Sequence, residues 1–269
     1  NYFRIVCPAL ARVHNRSHIL KNITQEVNFK DVTDEYASLG IFGPNSRKFL
    51  TALVGNYFSN EYFKFSTGKY INFLDTKVWF QRLSFIGELG WELYIPINKS
   101  KKIFKKIKNL GKKYDLCFAG MHTLDTLRLE KKFLHWGHDI TAENNPFEAG
   151  LNFAVSFKKK ENFIGRKYLE SIVDMPLKKK LSLFSLKVKK PGNPLLLHDE
   201  PIFYKNKIVG YSTSSNYSFY YNKNIFLAYV NNNIQLNHKS LVIEVEGKKY
   251  DIVYEPDALH DPKNILLRS

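Results

Sequence analysis

The chain has 269 residues, 44% of them hydrophobic and 15% aromatic. That composition excludes a disordered protein and supplies enough apolar surface for one large core or two small ones. Lysine and arginine total 41 against 25 acidic residues, a formal net charge of +16. Such an excess suits a polyanionic partner or a solvated lysine surface, and the second reading is the simpler one because lysine far outnumbers arginine. No apolar run is long enough for a membrane span, and no signal-peptide pattern opens the chain. Cys7 and Cys117 make no disulfide framework. The expected compartment is reducing: cytoplasm, or the mitochondrial matrix in a eukaryote.

Tyr2–Val6 reads as a strand, and a chain that opens in mid-sheet is expected to be a piece of a longer polypeptide. Ala9–Lys21 reads as a helix with Leu10, Val13, Ile19 and Leu20 as its apolar positions. Val27–Asp34 reads as strand and turn, and Ala37–Phe42 as a strand closed by Gly43-Pro44. The helix over Asn45–Val54 has Phe49, Leu50 and Leu53 inward. Lys69–Pro96 supplies two or three strands. Within it, Arg82–Pro96 reads strand, tight turn, strand: Leu83 and Phe85 alternate, Gly87 and Gly90 bracket the turn, and Leu93 and Ile95 resume. Glu88 and Glu92 lie in or beside that turn, where glycine lets a ligand approach the backbone closely. Lys99–Leu110 has Ile103, Phe104, Ile107 and Leu110 at helical spacing, with its lysines outside that stripe.

Met121–Phe133 is a second helix, with Leu124, Leu127 and Phe133 inward. Gly137–Pro146 is a loop, Gly150–Phe157 a strand and Asn162–Glu170 a short helix. Short strands follow Met175-Pro176: Leu181–Val188, Pro201–Tyr204, Lys207–Ser212, Phe226–Val230, Leu241–Val245 and Lys248–Val253. Lys205-Asn206 and Glu246-Gly247 are tight turns. The fold class is therefore α+β, with an α/β part over 1–175 and a small β-barrel or sandwich over 176–269.

His135 and His138 lack metal-ligand spacing, and no metal site is expected. Gly-x-Ser-x-Gly, P-loop and GxGxxG patterns are absent, so the sequence in hand carries no dinucleotide fingerprint. Tyr217–Tyr221 near Lys223 is the best nucleic-acid candidate, but its place in a barrel loop makes it a weak one.

Six segments in fixed order resemble the glycine-cleavage T-protein family of tetrahydrofolate-dependent aminomethyltransferases. They are Gly43-Pro-Asn-Ser-Arg47, Gly87-Glu-Leu-Gly-Trp-Glu92, Asp125-Thr-Leu-Arg-Leu-Glu130, His135-Trp-Gly-His-Asp-Ile140, Asn145-Pro-Phe-Glu-Ala-Gly-Leu151 and Phe163-Ile-Gly-Arg166. The branch that looks closest is the folate-binding C-terminal half of sarcosine and dimethylglycine dehydrogenases. His14–Ile19, Trp91 and His260-Asp-Pro-Lys-Asn264 point there.

The resemblance implies folate-binding α/β subdomains, with the site in a central hollow of the first part, followed by a C-terminal barrel. It implies Glu92 as the pterin anchor, with Arg128, Trp136 and Phe85 as further contacts and Glu88 bracing the turn. Gly87, Gly90 and Glu148 would shape the pocket. Phe85 stands where T-proteins carry Tyr, so a stacking face is kept and a hydroxyl lost. For Arg128 the alternative is an internal salt bridge with Glu130 or Glu148; for Trp136 it is a core position.

The family's catalytic aspartate would precede residue 1, and Val6-Cys-Pro8 stands where the usual Asn is expected. No catalytic residue is therefore assigned. The implied reaction passes a methylene group from an oxidised methylated amine, sarcosine or dimethylglycine, to tetrahydrofolate. FAD would belong only to an upstream domain. The alternatives are a stand-alone T-protein and a non-catalytic folate-binding module.

Overall fold

The computed structural model describes residues 2–269, which fall into two compact units. The first comprises residues 2–83 and 90–117, the second residues 84–89 and 118–269.

In the first unit a four-stranded antiparallel sheet is built from β1 (Tyr36–Phe42), β2 (Gly68–Phe73), β3 (Thr76–Gln81) and β4 (Gly90–Pro96), in the order β1-β4-β3-β2. Alternation decides its two faces. Ile71, Phe73, Val78, Phe80, Trp91, Leu93 and Ile95 are buried, with Phe49, Leu50 and Leu53 of α2 (Ser46–Val54) and Ile103 and Ile107 of α3 (Ile97–Gly111). The residues between them, including Tyr94, Glu92, Trp79 and Gln81, are only half-buried. The lysines of α3 are exposed, as its stripe predicts.

Several expectations fail here. Helix α1 (Arg12–Asn22), behind a 3-10 turn at Ala9–Ala11, buries none of its residues; Leu10 is 96% and Val13 80% exposed. Its fork to Asp31 (2.8 Å) and Asp34 (2.7 Å) through Arg12 ties it down instead. Tyr2–Val6 and Val27–Asp34 form no strand, because alternation makes a strand only where an edge offers hydrogen bonds. A 3-10 turn, Thr33–Glu35, overlaps the end of the second segment. The tight-turn reading of Arg82–Pro96 is also corrected. Strand β3 stops at Gln81, residues 82–89 are irregular, and β4 starts at Gly90.

The second unit is centred on a closed six-stranded barrel. Its strands are β5 (Lys179–Leu186), β6 (Pro201–Tyr204), β7 (Lys207–Ser218), β8 (Lys223–Asn231), β9 (Leu241–Val245) and β10 (Lys248–Glu255), in the order β10-β5-β8-β7-β6-β9. Phe184, Ile202, Phe226, Ala228, Leu241 and Ile243 belong to one buried cluster. Alternate residues of β5 and β8 (Leu181, Leu183, Ile225, Leu227 and Tyr229) form a second cluster with Leu129 of α4 (Met121–Glu130). Both faces of these two strands are thus covered, which suits the unbroken apolar run of β8 over residues 225–230. Lys205-Asn206 and Glu246-Gly247 have positive φ at both positions, as two-residue hairpin turns of the primed type require. The short helix is α5 (Arg166–Ile172), and α6 (Ile265–Arg268) is close to the C-terminus. The strand expected over Gly150–Phe157 is a 3-10 turn at Asn152–Ala154, with Phe153 86% exposed.

Candidate functional site

The signature Gly87–Glu92 is shared between the units: Gly87, Glu88 and Leu89 belong to the second, Gly90, Trp91 and Glu92 to the first. Its two glycines answer different needs. Gly90 opposes Phe42 in the β1–β4 register, and a Cβ there would stand 2.2 Å from the Phe42 ring and 2.5 Å from the Ile41 carbonyl. Gly87 has φ +82°, and its Cβ would meet the Lys131 side chain at 2.6 Å.

Glu92 lies two residues into β4, on the half-buried face of the sheet, opposite Gly40 on one side and Gln81 on the other. The Tyr94 hydroxyl donates to Glu92 Oε2 at 2.8 Å. Burial above all, then the bond to Glu92, holds the Tyr94 phenol well above its ordinary range, so it remains a donor at neutral pH. In the neighbouring strand Trp79 Nε1 donates to Gln81 Oε1 at 3.2 Å. Trp79 and Tyr94 are themselves register partners. Glu92 and Gln81 are therefore drawn the same way, each toward an aromatic residue two positions along its own strand. A cavity of about 370 Å³ is lined by Gln81, Trp79, Gly68, Thr67 and Arg4 among others, and Glu92 and Tyr94 are not part of its lining. The Arg4 guanidinium lies 5.0–6.0 Å from the ring centroids of Tyr36, Tyr70, Trp79 and Tyr94.

Trp91, one pointer to the dehydrogenase branch, is fully buried edge-on to Phe58 (5.3 Å) and Phe63 (6.0 Å).

The other expected site residues lie in the second unit. Arg128 is 2% exposed, and its guanidinium is consumed internally: Asp139 at 2.5 Å, Ser214 at 2.8 Å, the Phe133 carbonyl at 3.2 Å and Asp125 at 3.3 Å. An internal bridge to Glu130 or Glu148 is not what forms; the acidic partners are Asp125 and Asp139. Glu130 instead accepts from the Ser218 hydroxyl at 2.6 Å. Asp139 also accepts from the His135 amide (2.8 Å) and the Thr213 hydroxyl (2.6 Å). A bulge between Ser212 and Ser214 inserts Thr213 into β7, so that adjacent hydroxyls reach the two members of one ion pair.

Asp139 thereby pins the turn that carries Trp136, whose ring is 42% exposed and so is no core residue. Phe85 stacks on Phe133 at 6.3 Å. Glu88 lies 2.7 Å from His260, whose Nδ1 is 3.2 Å from the Tyr221 hydroxyl. Glu148 is buried, and its carbonyl accepts from the Leu181 amide. His135 and His138 rings lie 4.8 Å apart, and the His135 imidazole is pushed down by burial first and by His138 next.

Sequence reasoning missed Tyr94, Gln81, Asp139 and Thr213. Tyr94 and Gln81 had a usable signal, since period-2 spacing puts Tyr94 beside Glu92 and Gln81 follows Trp79 by two.

Residues 1–159 match the GCVT N-terminal domain family, and residues 179–259 match the Glycine cleavage T-protein C-terminal barrel domain. The chain belongs to the glycine-cleavage T-protein family. Among relatives of this T-protein-family chain, mitochondrial dimethylglycine dehydrogenase of Mus musculus is 36% identical over 250 residues, covering 90% of this chain and 28% of the relative. Mitochondrial sarcosine dehydrogenase of Homo sapiens is 33% identical over 232 residues, with coverages of 85% and 25%. An aminomethyltransferase of Halothermothrix orenii is 32% identical over 228 residues, with coverages of 84% and 62%. The chain thus spans little more than a quarter of the dehydrogenases it matches. The fold is similar to the crystal structure of glycine cleavage system aminomethyltransferase T from Bartonella henselae, with a TM-score of 0.73 and 20% identity over 85% of this chain and 60% of that one. This is an aminomethyltransferase-type chain with the family's barrel. None of its helices, among the described residues, is long and apolar enough to cross a membrane.

Proposed function

We propose that the chain binds tetrahydrofolate and serves one-carbon transfer as the C-terminal part of a flavin-dependent dehydrogenase of methylated amines. The observation that carries this reading is Glu92, held by Tyr94 on an open sheet face inside the signature that the family match covers. A pterin presents an amino group and an adjacent ring N–H along one edge, and a fixed carboxylate accepts both. In the reaction, the iminium carbon of the oxidised amine is the electrophile and a folate nitrogen the nucleophile. The protein's work is orientation, exclusion of water and a charge held in place.

Trp136, half-exposed on a pinned turn, presents an aromatic face within the second unit. With its donors used inside the protein, Arg128 holds that turn through Asp139, while Phe85, Glu88 and Glu148 support the segments around the signature. The division at 175/176 is kept, supported by family matches that end at 159 and begin at 179. The dehydrogenase branch is favoured by identities of 36% and 33%, and the mitochondrial names of those relatives support a mitochondrial location. FAD belongs to the proposed upstream domain. The aminomethyltransferase relative, 32% identical, supports the stand-alone T-protein as the second reading.

The test is a titration of the chain with tetrahydrofolate and, separately, with p-aminobenzoylglutamate, which lacks the pterin. Binding of the first and not the second supports pterin recognition. Equal affinity for both contradicts it.

A further inference from the structure

Glu92 does not stand alone on its sheet face. Gln81 is its direct register partner across β3 and β4, and side chains directly opposite on one face start about 5 Å apart at Cβ. The orientation of the Gln81 amide follows from its neighbour. An indole nitrogen donates only, so the amide atom facing Trp79 Nε1 is the oxygen, and the amide NH2 is turned the other way. On the next strand the Tyr94 hydroxyl occupies Glu92 Oε2 as a donor, which leaves the carboxylate accepting along the rest of its rim. One row of the sheet therefore presents an acceptor group and a donor group side by side, Gln81 at the edge of the cavity of about 370 Å³ and Glu92 next to it in register, outside the cavity lining. The pyrimidine edge of a pterin carries the complementary order: amino donor, ring N–H donor, C4 carbonyl acceptor. A carboxylate satisfies the first two and leaves the carbonyl needing a donor beside it.

We infer that Gln81 is a specificity residue of the folate site, its amide N–H donating to the C4 carbonyl of the pterin that Glu92 anchors. The inference rests on the pterin-binding reading of Glu92. It assigns Gln81 part of the discrimination between a 4-oxo and a 4-amino pterin, because a donor facing an amino group is left unpaired; the rest lies at N3, which carries a hydrogen for Glu92 only in the 4-oxo ring.

The test compares affinities for tetrahydrofolate and for its 4-amino analogue in the wild-type chain, Gln81→Glu, Gln81→Leu and Glu92→Gln, each checked for an unchanged circular-dichroism spectrum. Gln81→Glu keeps an oxygen for Trp79 but removes the donor, so it separates support of Trp79 from contact with ligand. The expected result is tenfold or greater loss of tetrahydrofolate affinity in Gln81→Glu, about 1.4 kcal/mol, with the 4-amino analogue changed much less. Gln81→Leu is expected to narrow the preference, leaving the part that comes from the N3–H facing Glu92. If Glu92→Gln weakens binding while the 4-oxo to 4-amino ratio is the same in wild type and both Gln81 variants, the role of Gln81 is overturned and that of Glu92 stands. If Glu92→Gln binds tetrahydrofolate as the wild type does, the reading of Glu92 fails and this inference fails with it.

Discussion

Arg128 and Asp139 form an ion pair of 2.5 Å in which the two side chains are 3% and 0% exposed. Asp125, Ser214, Thr213, the His135 amide and the Phe133 carbonyl complete the network. Removing one member leaves the other charge buried without its counter-ion, which costs roughly 3–5 kcal/mol. Arg128→Met is expected to lose stability on that scale in urea denaturation. Arg128→Lys is expected to recover little, because an ammonium lacks the planar fork that reaches four partners. A loss below about 1 kcal/mol for Arg128→Met, the scale of an exposed pair, would show that the network is slack.

Glu130 gives a pH-dependent signature. Burial raises its carboxyl above the ordinary value, while Ser218 and His260 pull the other way with smaller effect. A carboxyl raised on folding contributes stability that is fully present below its unfolded value of about 4.3 and is lost as pH rises through the folded value. Glu130→Gln removes that loss. Melting temperatures of the two proteins, taken from about pH 4 upward, are expected to shift steadily in favour of the Gln variant. A constant difference would contradict the assignment.

Gly87 is constrained twice, by φ +82° and by the Lys131 side chain, 2.6 Å from where a Cβ would stand, whereas Gly150, with φ +73°, has nothing within 4 Å of that point. Both belong to the second unit. Gly87→Ala and Gly150→Ala share the cost of a left-handed backbone, about 1–3 kcal/mol. Only Gly87→Ala adds a steric displacement, of roughly 1 kcal/mol or more. Denaturant midpoints are expected to rank Gly150→Ala above Gly87→Ala; equal midpoints would mean that Lys131 yields freely.

The barrel was the most legible part of the sequence. Pro201–Tyr204 and Leu241–Val245 fall where alternation and turn residues put them, because each hairpin carries its own turn chemistry. Helix α2 was legible for a similar reason, with Phe49, Leu50 and Leu53 all buried. Tyr2–Val6 and Val27–Asp34 misled because alternation reports an amphipathic segment, not the presence of a neighbouring edge. The signature was not legible as shape: its glycines suggested a tight turn, whereas Gly87 makes room for Lys131 and Gly90 for Phe42. Asp139 was invisible because its side-chain partners, Arg128 and Thr213, lie 11 and 74 positions away, the second in a bulge that local pattern does not encode.

Glu92 is proposed to anchor a pterin, and the decisive measurement is calorimetric titration with tetrahydrofolate of wild type, Glu92→Gln and Glu88→Gln side by side. At least tenfold weaker binding is expected for Glu92→Gln, about 1.4 kcal/mol, and a much smaller change for Glu88→Gln, whose carboxylate lies 2.7 Å from His260 in the second unit. Unchanged binding in a folded Glu92→Gln protein would contradict it.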